Sequence, residues 1–476
     1  MKRATDGHAF DLNIEKVLEH WNVSDAIREF IANALDEQRL TGTAEPQITR
    51  RHDGAWTIED FGRGLRYRHL TQNENSEKAQ HPEVIGQFGI GLKDALAVCD
   101  RRSVRVTILS PHGDIRTESR AKASFSDITT LHAVITPPSD PNRVGMLVEL
   151  VGVSDNDMAA AKSLFLSYAG DRVLESTKFG DVLAKREADG PGRIYYKGLL
   201  VNEEPDFLFS YNVTNPNKSL RQALNRERHN VGRAAYTERV KQILTSCRST
   251  EVAVALAADL GQFMSGRMHD ELGWKDVALH ACRVLAAAEA VLFVTALQLR
   301  SAAVDYAKQD GYRIVVVPED IAAKLSTLTD TEGRPIRDLA AYEREFNDSF
   351  EFNFVEHELS PAEEAVWDLR DAAMQLAQFA VGRPGVKEIR VSETMRLGAG
   401  GAEVVGLWDA SEKRIVVRRD QLASPTAFCG TLLHEVSHAV SRTADGTLAF
   451  EQALTERLGL VASAALSDRS SRTGDR

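Results

Sequence analysis

REFIANALD, residues Arg28–Asp36, has two faces. Ile27, Phe30, Ile31, Ala34 and Leu35 recur at helical spacing and predict an apolar side. Glu29 and Asn33, four residues apart, stack on a polar side of the same helix. A carboxylate one turn before an amide is common on any solvated helix, so the pair takes its meaning from motifs further along the chain. Two Gly-rich turns answer it. IEDFGRGL places Asp60, Gly62 and Gly64 at the end of an expected strand, after a hairpin about Asp53-Gly54. GQFGIGLKDAL places Gly86, Gly89 and Gly91 ahead of Lys93 and an apolar helix.

Each part has a physical use. Glycines let a backbone approach phosphates and leave its N–H groups free to bind them at a helix N-terminus. A carboxylate at the end of a strand, Asp60, suits the amino group of adenine. Asn33 suits an amide that bridges to a metal, and Glu29 suits a base that positions water. A single GxxGxG is more often a tight turn than a nucleotide site. Here E-x-x-x-N, DxGxG and GxxGxG stand in order, each on the expected element.

Together the three motifs resemble the GHKL ATPase superfamily of gyrase, heat-shock chaperones, MutL, microrchidia proteins and histidine kinases. The resemblance covers residues 1–155 and implies the Bergerat α/β sandwich, with ATP and Mg²⁺ as cofactors. It implies Glu29 as general base, Asn33 as magnesium ligand and Asp60 as adenine reader beside Gly62 and Gly64. Gly86, Gly89 and Gly91 would form the phosphate loop with Lys93, and Gln72 to Ile85 the lid. One departure stands out: Gly145 is followed by Met146, where those families carry Gly-Thr.

Residues 156–268 read as mixed α and β, with a strand pair about Lys197-Gly198 in GRIYYKGLLVN. SLRQALNRERHNVG, Ser219 to Gly232, reads as a basic helix, and a basic run is ordinarily a solvated face. Behind a GHKL domain it resembles the transducer domain, in which a Lys or Arg reaches the γ-phosphate. That resemblance implies Arg226, with Arg228 as second choice. Residues 269–345 read as a small βαβ-like domain in which nothing suggests chemistry.

The last expected domain, 346–476, carries a second motif. Ser424-Pro425 predicts a cap and first turn, and TAFCGTLLHEVSHAV comes next with His434, Glu435 and His438. Two histidines four apart on one helix can bind one Zn²⁺, and the glutamate between them can act on water at the metal. HExxH also occurs by chance in unrelated helices. Here the rest of the helix is apolar, which makes buried histidines and a glutamate costly without partners. The arrangement resembles a minimal zincin metallopeptidase whose third ligand is a Glu on the next helix. That points to Glu451, with Glu456 or Asp445 as fallback.

The fold class expected is therefore multidomain α/β (α+β): GHKL domain, transducer-like domain, small α/β domain and zincin. In 476 residues, 58 Lys and Arg against 69 Asp and Glu give a net charge of −11, which argues against broad nucleic-acid binding. Cys99, Cys247, Cys282 and Cys429 are scattered with no CxxC and read as reduced core residues of a cytoplasmic protein. The most apolar window, Val277 to Leu299, is broken by His280, Arg283 and Glu289, so a membrane span is not expected. The polar tail from Ser467 is expected to be disordered. The leading reading is an ATPase whose conformational change, in a nucleotide-dependent homodimer, controls a zinc peptidase acting on a protein or peptide. The alternatives are a chaperone-like ATPase with a non-catalytic zincin fold, and a microrchidia- or MutL-like ATPase associated with nucleic acid.

Overall fold

The computed structural model describes residues 8–12, 18–71, 78, 81, 83–86, 91–122, 125–224, 231–355, 357–379, 385–398 and 400–473. The chain is a mixed α+β protein with several sheets. It forms two compact units, Met1–Val284 and Leu285–Arg476.

The first unit is built on a seven-stranded antiparallel sheet. Its strands are β1 (His8–Asp11), β2 (Gln47–Arg50), β3 (Trp56–Glu59), β4 (Arg105–Leu109), β5 (Asp114–Lys122), β6 (Phe125–Thr136) and β7 (Leu147–Val151). Their order is β1-β6-β5-β4-β7-β3-β2. Helix α1 (Val23–Thr41) packs against α2 (Gly91–Arg101), α3 (Asp155–Ser163) and β3. Ala26, Ile27, Phe30, Ile31 and Ala34 of α1 are buried with Ile58, Leu96, Val106 and Val148 in one core.

The sequence over Asp11 to Leu40 predicts helix with polar breaks near Trp21 to Ser24. Among the described residues α1 starts at Val23, on that break, while Asp11 ends β1, where pairing with β6 overrides local helical preference. Asn22 then starts α1 with a capping box through Asp25, and Gly42 ends it in the left-handed conformation.

The same unit carries a second sheet, of β8 (Val173–Thr177), β9 (Gly180–Leu183), β10 (Gly192–Tyr196), β11 (Leu199–Glu204) and β12 (Ser210–Val213), in the order β11-β10-β12-β9-β8. β10 and β11 form the expected hairpin about Lys197-Gly198. Among the described residues of the helix expected over Ser219 to Gly232, Lys218–Ala223 is helical and Leu224 is extended. Residues 225–230, with Arg226 and Arg228, lie outside the described residues, as does Gly89.

In the second unit β13 (Val291–Val294) and β14 (Arg313–Val316) run parallel across the helix Ala302–Gln309, the expected βαβ arrangement. β15 (Glu388–Ser392), β16 (Gly406–Asp409) and β17 (Arg414–Arg418) pair in the order β15-β17-β16, so β16 is an edge. Helix α4 (Pro425–Ser441) covers this sheet, burying Phe428, Leu432 and Val436 against Val391, Ile415 and Val417. Helix α5 (Leu448–Thr473) comes after it. It runs through much of the tail expected to be disordered; the alanine-rich stretch before Ser467 favours continuation. Within Leu285–Arg476 the βαβ arrangement and the three-stranded sheet have separate cores, one with Leu292, Val304 and Tyr342, the other with Val391, Ile415 and Phe428. Among the described residues no helix is long and apolar enough to cross a membrane.

Gly145, just before β7, has φ +77°, and a Cβ there would fall 1.9 Å from the Asp60 carbonyl oxygen. Gly145→Ala is expected to cost about 2–4 kcal/mol, through left-handed strain plus overpacking. Urea unfolding would measure this, and a loss below about 0.5 kcal/mol would mean that the crossing tolerates a side chain.

Candidate functional site

Along α1, Glu29, Asn33 and Glu37 recur at four-residue intervals, a polar stripe about 12 Å long. At one end Glu29 is 3% exposed and accepts from Arg28 Nε and Nη2, at 3.1 and 2.9 Å. It sits hard against the start of α2, since a Cβ on Gly91 would lie 2.1 Å from its Oε2. In the middle Asn33 Nδ2 donates to the Glu29 carbonyl, which turns Oδ1 outward. Lys78 Nζ donates there at 2.9 Å and to Asp36 Oδ2 at 3.1 Å. An ammonium thus holds the place, between an amide oxygen and a carboxylate, that a divalent cation bound by Asn33 would use.

At the far end Glu37 accepts from the Arg63 backbone N–H and from Arg63 Nε, which ties the DxGxG turn to α1. Asp60 is 2% exposed and takes hydrogen bonds from the Gly62 and Met146 N–H groups. Burial pushes its carboxyl up to about 6, partly opposed by the Gly62 N–H. Gly64 comes next in left-handed geometry, and Lys93 is half-buried in the first turn of α2. Glu29 and Asn33 are therefore brought together with Gly91, while Asp60 and Gly62 stand at the opposite end of the stripe.

Two residues that no sequence motif singles out connect this stripe to the second sheet. Asp36, fully buried, accepts from the Ile85 and Gly86 N–H groups at 2.7 and 2.9 Å. Lys197, at the tip of the β10–β11 hairpin, donates from Nζ to the Val84 carbonyl at 3.1 Å. Arg39 bridges the two, reaching the Glu83 and Lys197 carbonyls. The signal for Lys197 in the sequence is its place before Gly198: it takes φ +49° at the hairpin tip, a conformation costly for lysine.

The second unit carries a separate cluster. His434 Nε2 and His438 Nε2 lie 3.1 and 3.3 Å from Asp445 Oδ1, and 3.2 Å from each other. A tetrahedral ion with bonds of about 2.0–2.2 Å needs donors about 3.3–3.6 Å apart, so three of its four corners are nearly formed. His438 Nδ1 meets the Thr443 carbonyl at 2.8 Å, which favours the tautomer whose Nε2 lone pair faces the cluster. Burial holds His434 below its ordinary pKa, opposed by Asp445 beside it. Both rings pack on Phe450 of α5, with centroids 4.9 and 4.3 Å away, a support that the HExxH motif does not announce.

The histidines expected to be buried are partly exposed, His434 more than His438, because they face a cleft of about 1150 Å³. Glu435 is the buried member, 5% exposed and turned beneath edge strand β16. A Cβ on Gly406 would come within 2.7 Å of its Oε1, and the Trp408 N–H donates to it. Burial pushes Glu435 up to about 7, opposed by His438. The carboxylate that joins the histidines is Asp445, in the turn after α4; Glu451 and Glu456 are exposed on α5 and are not in the group.

An "Uncharacterized protein" of Mycoplasma pneumoniae is 37% identical to this chain over 240 residues, 96% of that protein and half of this one. This chain belongs to its family. A second M. pneumoniae protein, also described as uncharacterized, is 26% identical over 352 residues, 96% of its length and 68% of this chain. Residues 156–250 match the family described as the Mycoplasma pneumoniae MPN635 N-terminal domain. That stretch runs from α3 through the second sheet and includes the Lys197 hairpin.

If Asp445 completes the cluster, Asp445→Ala should lower zinc stoichiometry of the purified protein at least about tenfold more than Glu451→Ala. Elemental analysis of both variants reads this directly, and the reverse order would return the third position to Glu451.

Proposed function

We propose that this family member is a GHKL-type ATPase that controls a zinc-dependent peptidase carried on the same chain. The observation that carries the peptidase reading is the convergence of His434, His438 and Asp445 in a cleft that also holds the buried Glu435. The donor set of two imidazoles and one carboxylate is that of a catalytic zinc site with an open fourth position. A bound Zn²⁺ supplies a Lewis acid for the scissile carbonyl.

The residues of the chain do the rest. Glu435 takes a proton from the attacking water as the new C–O bond forms, then hands it to the amide nitrogen as the C–N bond breaks. Thr443 and Phe450 hold the imidazoles in place, and the open edge of β16 offers backbone groups to an extended peptide.

The ATPase reading is supported by the α1 stripe. In it Glu29 orients and deprotonates the water that attacks the terminal phosphate, Asn33 offers Oδ1 to Mg²⁺, and Asp60 accepts from the adenine amino group. Lys197 meets the segment before the phosphate loop and is a second candidate, beside Arg226, for the coupling cation. The zinc peptidase is the output, and a homodimer closed by ATP is the input state.

Casein cleavage with and without Mg·ATP tests the whole scheme. Glu435→Gln should retain zinc and lose about 10²–10⁴-fold in cleavage rate; equal cleavage by wild type and this variant would sink the peptidase reading. Glu29→Ala should keep ATP binding, lose ATP hydrolysis by a similar factor, and remove the effect of ATP on cleavage. An ATPase rate unchanged by Glu29→Ala would remove the nucleotide half.

A further inference from the structure

The cleft around His434 and His438 carries more charge than hydrolysis uses. Its acids are all engaged. Glu403 is paired with Arg418 at 2.9 Å and accepts from the Tyr306 hydroxyl. Asp445 is committed to the histidine pair, and Glu435 is buried beneath β16. Two cations line the same cleft, Lys413 and Arg442, and both are exposed. Among the described residues neither side chain has a carboxylate partner.

Their backbones sharpen the point. Arg442 caps α4 at φ +57° and ψ +29°, and Lys413 ends the β16–β17 turn at φ +55°. These are left-handed conformations that glycine adopts freely and a long side chain adopts at a cost. Helices commonly end in this conformation, and glycine is the usual residue there. At both positions the chain instead carries a cationic side chain, lining the same cleft and left unneutralised. Backbone strain of this kind is characteristic of ligand-binding positions. Arg442 also lies four residues after His438 and three before Asp445, and it lines the cleft that holds both.

We propose that this cleft selects peptides bearing a carboxylate next to the bond to be cut, and that Arg442, with Lys413, is the specificity determinant. The inference rests on the peptidase reading and adds its substrate class. A guanidinium forms a bidentate pair with a carboxylate, a geometry that the neutral isostere cannot reproduce. The carboxylate has two possible sources, an Asp or Glu side chain and the free C-terminus of a short peptide.

The test uses the zinc-loaded full chain with Mg·ATP and a mixture of synthetic peptides, with cut sites read by mass spectrometry. A preferred peptide is then remade with Glu replaced by Gln, and separately with its C-terminus amidated. Wild type is expected to favour the acidic form over its neutral twin about tenfold or more in kcat/KM. The Gln arm reports on a side-chain carboxylate, the amide arm on the terminus. In Arg442→Gly, which relieves the left-handed backbone and should keep its zinc, the preference ratio should collapse toward one. Arg442→Lys should restore part of it, and Lys413→Gly should lower it to a lesser extent. A wild type that cuts acidic and neutral twins equally, or an Arg442→Gly variant that keeps the ratio, overturns this inference and leaves the peptidase standing. A zinc-loaded wild type that cuts no peptide overturns both.

Discussion

Asp36 is a carboxylate with no solvent exposure at all, and its bonds to the Ile85 and Gly86 N–H groups fix where the glycine segment meets α1. A buried carboxylate is tolerated only when its lone pairs are filled, so those two N–H groups cannot leave without a large desolvation cost. The constraint propagates in two directions. Toward the N-terminus of α1, Glu29 meets Gly91. Toward the second sheet it holds the carbonyls of Glu83 and Val84 where Arg39 and Lys197 reach them. A change in residues 83–86 is thereby felt at the β10–β11 hairpin through direct hydrogen bonds.

The second unit solves a related problem with the opposite polarity. Helix α4 has to bury Phe428, Leu432 and Val436 against the sheet and still present imidazoles to a ligand. A 3.6-residue period allows both, because positions 434 and 438 fall on a face different from that of 428, 432 and 436. Glu435 lies at the border of the two faces, which is why it is buried yet beside the cleft. Its raised pKa is the electrostatic consequence of that border position, and Gly406 is the space that accommodates it.

The two sites differ in how much of them could be read in one dimension. Glu29 and Asn33, or His434 and His438, sit within one helical turn, and α-helical geometry places such pairs together whatever the rest of the chain does. The βαβ arrangement over residues 291–316 and the hairpins about Gly54 and Gly198 were likewise legible from alternation and turn residues. Phe450 was not, because nothing in a phenylalanine one helix away signals that it will stack on an imidazole. Lys78 against Asn33, and Lys197 against Val84, join residues 45 and 113 positions apart. The strand that ends at Asp11 and the structured polar tail depart from expectation for the same reason: pairing and context override local composition.

By itself, the sequence determined the apolar faces of α1 and α4, the polar pairs upon them and the glycines that allow close approach, since these depend on local periodicity and backbone sterics. The tertiary structure decided which carboxylate joins the histidines, which cation faces Asn33 and which hairpin touches the segment before Gly86. Asp445 rather than Glu451 meets the imidazoles because the turn after α4 folds back beneath them while the first turn of α5 leaves Glu451 in solvent. Long-range choices of this kind are set by the packing of whole elements, which burying apolar area drives without regard to which polar groups it brings together.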